Sequence, residues 1–215
     1  MRLVIPPGVF APPSDAWMLA AHLRREPPTR RTVLDLCAGS GVLAMVAALE
    51  GAAHVTAVDV SRRAVVAVRL NALLNGVRVE ALRGDLFVPL SGRRFDLIVT
   101  NPPYLPGPLP VPSARGAARA WEGGPSGREL IERIAAGARR HLSEHGALLL
   151  VCSTVCGERA TLAALRAGGL VPEVRERRRG PLGPRLRARA SWLRQRGLLL
   201  SGDQEELLVI RAQPA

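Results

Sequence analysis

Thr32-Val33-Leu34-Asp35-Leu36-Cys37-Ala38-Gly39-Ser40-Gly41 is a short apolar run ending in a glycine-rich turn, and Val42 to Glu50 after it is a helix-length apolar run closed by Gly51. Aliphatic residues without alternation predict a strand buried on both faces, the setting of a parallel sheet under helices. Glycine at 39 and 41 lets the backbone turn tightly and approach a ligand closely at the N-terminus of the next helix. His54-Val55-Thr56-Ala57-Val58-Asp59 is a second strand, and its terminal carboxylate lies 20 residues after Gly39. An acid in that place accepts hydrogen bonds from ribose hydroxyls. The pattern predicts an open α/β sheet with a nucleoside-containing cofactor at the carboxyl ends of its strands.

Two cofactor classes meet this pattern. Gly39-Ser40-Gly41-Val42-Leu43-Ala44 satisfies the looser dinucleotide fingerprint G-x-G-x-x-A. Asp35, just before the loop, argues the other way, because a carboxylate there repels a pyrophosphate but suits a cation, held directly or through water. S-adenosylmethionine carries an α-amino group and a sulfonium. The plain alternative for Asp35 is a helix or turn cap.

The strand and helix alternation continues. Ser61 caps a helix from Arg62 to about Asn75, and Val77 to Leu82 form a third strand reaching Gly84-Asp85-Leu86-Phe87. Asp85 is placed for the amino group of an adenine, while Phe87 is expected in the core, with cover of the ring as its second role. Phe95 to Thr100 form a fourth buried strand, stopped by Asn101-Pro102-Pro103-Tyr104. Neither proline donates to a ladder, and Pro102 holds Asn101 extended at the strand's carboxyl end. The Asn101 carboxamide oxygen and the Pro102 carbonyl are both acceptors. Side by side they suit a planar NH2 group, each taking one hydrogen and drawing the nitrogen lone pair out of conjugation. Tyr104 can pack on the flat face of that group. An ordinary strand-ending turn is the plain alternative.

At 215 residues with 47% apolar content, the chain fits one domain with a sizeable core. The net charge is +12 and every basic residue is Arg, which favours an anionic partner such as nucleic acid, a ribonucleoprotein or an acidic protein. Three cysteines are too few for a disulfide framework. Cys152 and Cys156 form C-x-x-x-C without a second pair, so buried thiols are expected and no metal site. No signal-peptide pattern and no apolar run of about 20 residues is present, so the expected location is cytoplasmic, with no membrane contact.

Residues 1–31 read as an N-terminal lead segment with a short helix capped at Ser14-Asp15 and ended by Pro27-Pro28. His22 within it is structural. Residues 32–215 form the main domain. Residues 105–124 are rich in Pro, Gly, Ala and Arg and are expected to form a mobile flap. Gly123-Gly124-Pro125-Ser126-Gly127 is either a substrate-holding corner or a plain helix start, followed by a helix from Arg128 to Glu144. His141 and His145 have ligand-like spacing but fit capping at that helix's end. Ala147 to Cys152, Leu170 to Arg175 and Glu205 to Ile210 are further strands, with a helix from Gly157 to Ala167. Before the last strand, an arginine-rich insertion over 180–200 is expected to form one helix. Its Leu186, Ala190 and Leu193 lie beneath Arg185, Arg187, Arg189, Arg194 and Arg196. If the sixth strand is parallel to the others, this helix lies beside the tetrapeptide, where it either docks an anionic partner or is a solvated face.

Seven such elements resemble the class I S-adenosylmethionine-dependent methyltransferase fold: a Rossmann-like α/β sheet of seven mostly parallel strands, the last antiparallel, with helices on both faces. Asp35 to Gly41 looks like its cofactor loop. More narrowly, Val9-Phe10 with Pro12 and Asp15, then Asn101 to Tyr104, then Glu122 to Arg128, resemble the HemK-type protein glutamine N5-methyltransferases. The likeness is strongest to the short branch that methylates eukaryotic and archaeal release factors. The resemblance implies S-adenosylmethionine bound by Asp35, Cys37, Gly39, Gly41, Asp59, Val60, Asp85, Leu86 and Asn101. It implies catalysis at Asn101, Pro102, Pro103 and Tyr104. It also implies a protein substrate such as a release factor, together with a small activator subunit. RNA or ribosome contact through the arginine-rich tail joins these expectations. The tetrapeptide also serves adenine N6 and guanine N2 methylation, so a nucleic-acid base is the alternative acceptor. A small molecule is a further alternative, and a binding or scaffold protein without catalysis is the non-enzymatic one. Two departures stand out: the N-terminal helical domain of longer bacterial members is missing, and the arginine-rich insertion lies outside the general pattern of the fold.

Overall fold

The computed structural model describes residues 1–26, 31–111, 116–199 and 202–215. The strands are β1 (Thr32–Leu36), β2 (His54–Asp59), β3 (Glu80–Arg83), β4 (Phe95–Thr100), β5 (Leu142–Ser153), β6 (Leu170–Pro181) and β7 (Gln204–Pro214). They form one sheet in the order β3-β2-β1-β4-β5-β7-β6. The strands β1 to β5 are mutually parallel, while β7 runs antiparallel between β5 and β6. The order reverses between β1 and β4, and a ligand crevice opens at such a switch point.

Alternate residues of the central strands feed two separate cores, as the two-residue period of a strand requires. Val33, Leu97 and Val99 face the layer of α1 (Ser14–Arg25), α2 (Val42–Leu49) and α3 (Arg62–Leu74). Leu34, Leu36 and Ile98 face α4 (Glu129–His141) and α5 (Glu158–Ala167) on the opposite side. The lead segment belongs to the first core, since Met18, Leu19, Ala20 and Leu23 of α1 are buried in it.

Several boundaries and contacts differ from the sequence reading. The third strand begins at Glu80 rather than Val77, and the sixth extends to Pro181 rather than Arg175, because its whole length pairs with β7. The arginine-rich insertion forms two short helices, α6 (Pro184–Arg187) and α7 (Ala190–Gln195), broken at Ala188-Arg189. Its apolar stripe does pack as expected, with Leu186, Ala190 and Leu193 forming a third small core with Val155, Leu182 and Leu199. Ser14-Asp15 does not cap α1 by a side chain; Pro13 occupies that position. Pro27-Pro28 lies outside the described residues. His22 is buried, its Nε2 2.7 Å from Glu176 Oε2. Cys37, Cys152 and Cys156 are free thiols.

Candidate active site

Two cavities open along the carboxyl rim of the sheet. The larger, of about 450 Å³, is lined by Cys37, Gly39, Asp59, Val60, Asp85 and Leu86 among others. The smaller, of about 240 Å³, is lined by Asn101, Pro102, Pro103 and Tyr104 together with Phe10, Trp121 and Arg185. Asn101 and Pro103 belong to both walls. The carboxyl end of β4 therefore separates two spaces.

The glycine loop is held from several sides. Gly41 has φ of +81°, and a Cβ there would sit 2.9 Å from Val68 Cγ2, so only glycine fits between loop and α3. The Gly39 N–H donates to Asp59 Oδ2 at 2.9 Å and the Ser61 N–H to Asp59 Oδ1 at 2.8 Å. Burial nevertheless raises the Asp59 carboxyl above its ordinary value, with those backbone donors acting against it. The buried Asn71 donates to the Ser40 carbonyl at 2.9 Å and to the Val4 carbonyl at 3.0 Å, and accepts from the Val4 N–H at 2.7 Å. Nothing in the sequence marks this residue, which looks like any helical Asn.

Asp35 lies behind the loop rather than on the cavity wall. It is 0% exposed, and its Oδ2 accepts from the Ala44 N–H at 3.0 Å. Its Oδ1 is buried without a hydrogen-bond partner. Burial pushes this carboxyl up to about 8. Asp85 is exposed and pairs with Arg133 of α4 at 2.7 Å, so any second donor shares its carboxylate with that guanidinium. Phe87 stacks on His141 with ring centroids 4.4 Å apart and so belongs to packing, away from the larger cavity.

At the junction, no described residue hydrogen-bonds the Asn101 carboxamide. Tyr104 is 8% exposed, and its hydroxyl donates to the Asp15 carboxylate. Burial first, and the Asp15 charge second, hold that phenol well above its ordinary pKa, so it stays a neutral donor. The Cys156 thiol donates to the Tyr104 carbonyl at 3.0 Å. Gly123 supplies the room the tetrapeptide needs, since a Cβ there would lie 2.5 Å from the Pro103 carbonyl oxygen. The glycine corner therefore cradles the tetrapeptide, a contact between segments about 20 residues apart that local pattern does not reveal. The described ends of the 105–124 segment are zipped together, with Leu105 N–H donating to Trp121 carbonyl at 2.8 Å and Gly123 N–H to Leu105 carbonyl at 2.9 Å. Residues 112–115 of that segment lie outside the described residues. Arg189 from the insertion also pairs with the buried Glu122.

The larger cavity fits a nucleoside-bearing cation. Its volume falls in the roughly 300–1,000 Å³ range of small-molecule sites. Its wall offers a close backbone approach at Gly39 and a carboxylate at Asp59, while the buried Asp35 carboxyl, with its Oδ1 unpartnered, lies behind the loop outside that wall. The Asp59 carboxylate is an oxygen acceptor suited to hydroxyl, amino and cationic groups. Among the described residues, no group of three or more His, Cys, Asp or Glu forms a metal site.

Residues 1–109 match the family described as methyltransferase small domain. A putative protein N5-glutamine methyltransferase of Methanocaldococcus jannaschii is 30% identical over 181 residues, 84% of this chain and 90% of that protein. A release factor glutamine methyltransferase of Geobacter sulfurreducens is 33% identical over 157 residues, 70% of this chain and 55% of that protein. The chain spans about half the length of such bacterial relatives, which are named as release factor or ribosomal protein uL3 glutamine methyltransferases. The E. cuniculi Mtq2–Trm112 complex, described as responsible for methylation of the eRF1 translation termination factor, shares the fold. Its TM-score is 0.68 at 22% identity, over 97% of this chain and 99% of that one.

Proposed function

The chain belongs to the methyltransferase small domain family, among the HemK-type protein glutamine N5-methyltransferases, and we propose that it methylates a glutamine side-chain amide in a translation release factor. The observation that carries this reading is the shared wall: Asn101 and Pro103 border both cavities, so a group clamped there faces the donor space. S-adenosylmethionine is the cofactor, and when bound it supplies a methyl group on a sulfonium whose departure leaves a neutral thioether. The Asn101 Oδ1 and the Pro102 carbonyl each accept one hydrogen of the acceptor NH2, fixing the amide plane and turning the nitrogen lone pair toward the larger cavity. Neither oxygen is a base, so the nitrogen gives up one of its two protons to water after transfer. Tyr104, pinned by Asp15, packs beside the clamp.

A small activator subunit belongs to the same reading. Val66, Leu70 and Leu73 of α3 form an exposed apolar stripe, with Leu73 79% exposed, next to the short edge strand β3. A stripe of that kind supports coverage by a partner. RNA or ribosome contact is the finer proposal for the basic tail, supported by the net charge of +12 and by exposed Arg179 and Arg187, which have no carboxylate partner among the described residues. A cytoplasmic location follows from the proposed substrate. Among the described residues no helix is long and apolar enough to cross a membrane.

The test is Asn101→Ala, with S-adenosylmethionine binding measured by calorimetry beside methyl transfer. The expected result is near-normal binding and transfer reduced at least 100-fold, the scale for removing one preorganised contact to the reacting group. Joint loss of binding and transfer would make Asn101 a structural residue and overturn the clamp.

A further inference from the structure

The insertion that the family pattern does not account for lines the acceptor cavity with Gly183, Pro184, Arg185 and Leu186, and Arg185 is its one charged side chain there. Arg185 of α6 holds its guanidinium 4.3 Å from the centroid of the Trp121 ring and 5.1 Å from that of Phe10. Those two rings are tilted against each other with centroids 5.9 Å apart. All three residues line the 240 Å³ cavity that Asn101 and Tyr104 border. The aromatic platform fixes the guanidinium plane and leaves its N–H edge for a partner. Among the described residues no carboxylate or carbonyl accepts from Arg185, whereas Arg189, one turn on, is spent on Glu122 and the Pro106 carbonyl.

The other charged groups on this wall are already engaged. Asp15 accepts from the Tyr104 hydroxyl and the Ala16 N–H. Glu205 accepts from the Ser153 hydroxyl at 2.6 Å and the Gly183 N–H at 3.1 Å. Two carboxylates in so small a space repel a third, so the guest that Arg185 suits is a neutral oxygen acceptor.

We propose that Arg185 is a specificity-determining residue that binds a main-chain carbonyl of the acceptor polypeptide beside the methylated glutamine. This rests on the reading of the smaller cavity as the amide site. The side-chain amide enters between Asn101 and Pro102, and the peptide group that carries it lies under the guanidinium. An isolated amide of the same size gains nothing from Arg185, so this residue separates a glutamine within a polypeptide from small amides.

The experiment compares two probes by ligand-observed NMR titration of the protein with S-adenosylhomocysteine present. N-acetylglutamine methylamide carries the side-chain amide and two peptide carbonyls, and propionamide carries the amide alone. The wild type should bind the first about tenfold more tightly, the scale of a hydrogen bond to a charged group. Arg185→Ala should bring the two probes close to parity and leave propionamide affinity unchanged. Arg185→Lys should keep part of the difference. Arg185 is exposed, so truncating it spares the core. An unchanged ratio in Arg185→Ala would overturn the assignment, as would tighter binding of succinamate, the same amide carrying a carboxylate. Failure of propionamide itself to bind the wild type would instead remove the amide site, and the inference with it.

Discussion

Replacing Asp35 with Asn should change how stability depends on pH. In the free protein Asp35 is wholly buried, one of its oxygens has no partner, and its carboxyl is pushed from an ordinary 3.8 up to about 8. At neutral pH the folded chain therefore holds a proton at Asp35 that the unfolded chain has released. Stability from this group is fully present below about 3.8, falls as pH rises, and levels off above about 8. The slope in between is about 1.4 kcal/mol per pH unit. From pH 6 to pH 8 the wild type should lose about 2 kcal/mol, allowing for the flattening near the folded pKa. Asp35→Asn keeps an oxygen for the Ala44 N–H and cannot ionise, so it lacks that loss. Urea unfolding of both proteins at pH 6 and pH 8 reads the difference. Saturating S-adenosylmethionine brings positive charge toward the loop and should flatten the wild-type slope while leaving the variant unchanged. Parallel pH dependences in the two free proteins would refute the reasoning, because Asp35 would then be ionised in the fold.

Three further outcomes follow from single contacts. Asn71→Ala removes the amide that ties Val4 and Ser40 together, and should cost about 2–3 kcal/mol in denaturant unfolding, since it strands the buried Ser40 carbonyl and frees the lead segment at Val4. Gly127→Ala puts a Cβ on the Tyr104 carbonyl oxygen at φ of +73°, and should lower stability by at least about 2 kcal/mol while reducing transfer more than cofactor binding. An unchanged melting temperature would mean the corner relaxes freely. Asp59→Ala frees the Gly39 and Ser61 N–H groups and removes the carboxylate from the larger cavity, so S-adenosylmethionine affinity measured by calorimetry should fall by tenfold or more. An unchanged dissociation constant would count against its proposed contact with the ribose.

The parallel sheet was legible because its strands are continuous apolar runs, and Val33 to Leu36 and Leu97 to Val99 are buried on both faces as such runs require. The rim was legible for the same reason: glycines, carboxylates and a proline pair stop those runs at the same end. What the sequence could not show depends on contacts between distant segments. Asp35 has the residue type for a cation ligand, yet its depth behind the loop is set by packing of α2 on β1. Asp15 looks like a helix cap, and its bond to Tyr104 spans 89 positions. The insertion has the apolar spacing of one helix, but the break at Ala188-Arg189 divides it into α6 and α7, with Arg185 on Trp121 and Arg189 on Glu122. Strand β6 outran its apolar core because pairing with β7 extends it through a basic segment that no apolar face demands.

The proposed reaction is methyl transfer to a glutamine amide. It is tested most directly with radiolabelled S-adenosylmethionine, offering translation release factors, intact or with the glutamine changed to Ala, beside ribosomal protein, total RNA and DNA. Label is expected on the intact release factor and should disappear with the Gln→Ala change. Label on nucleic acid alone, or on the release factor regardless of the glutamine, would contradict it.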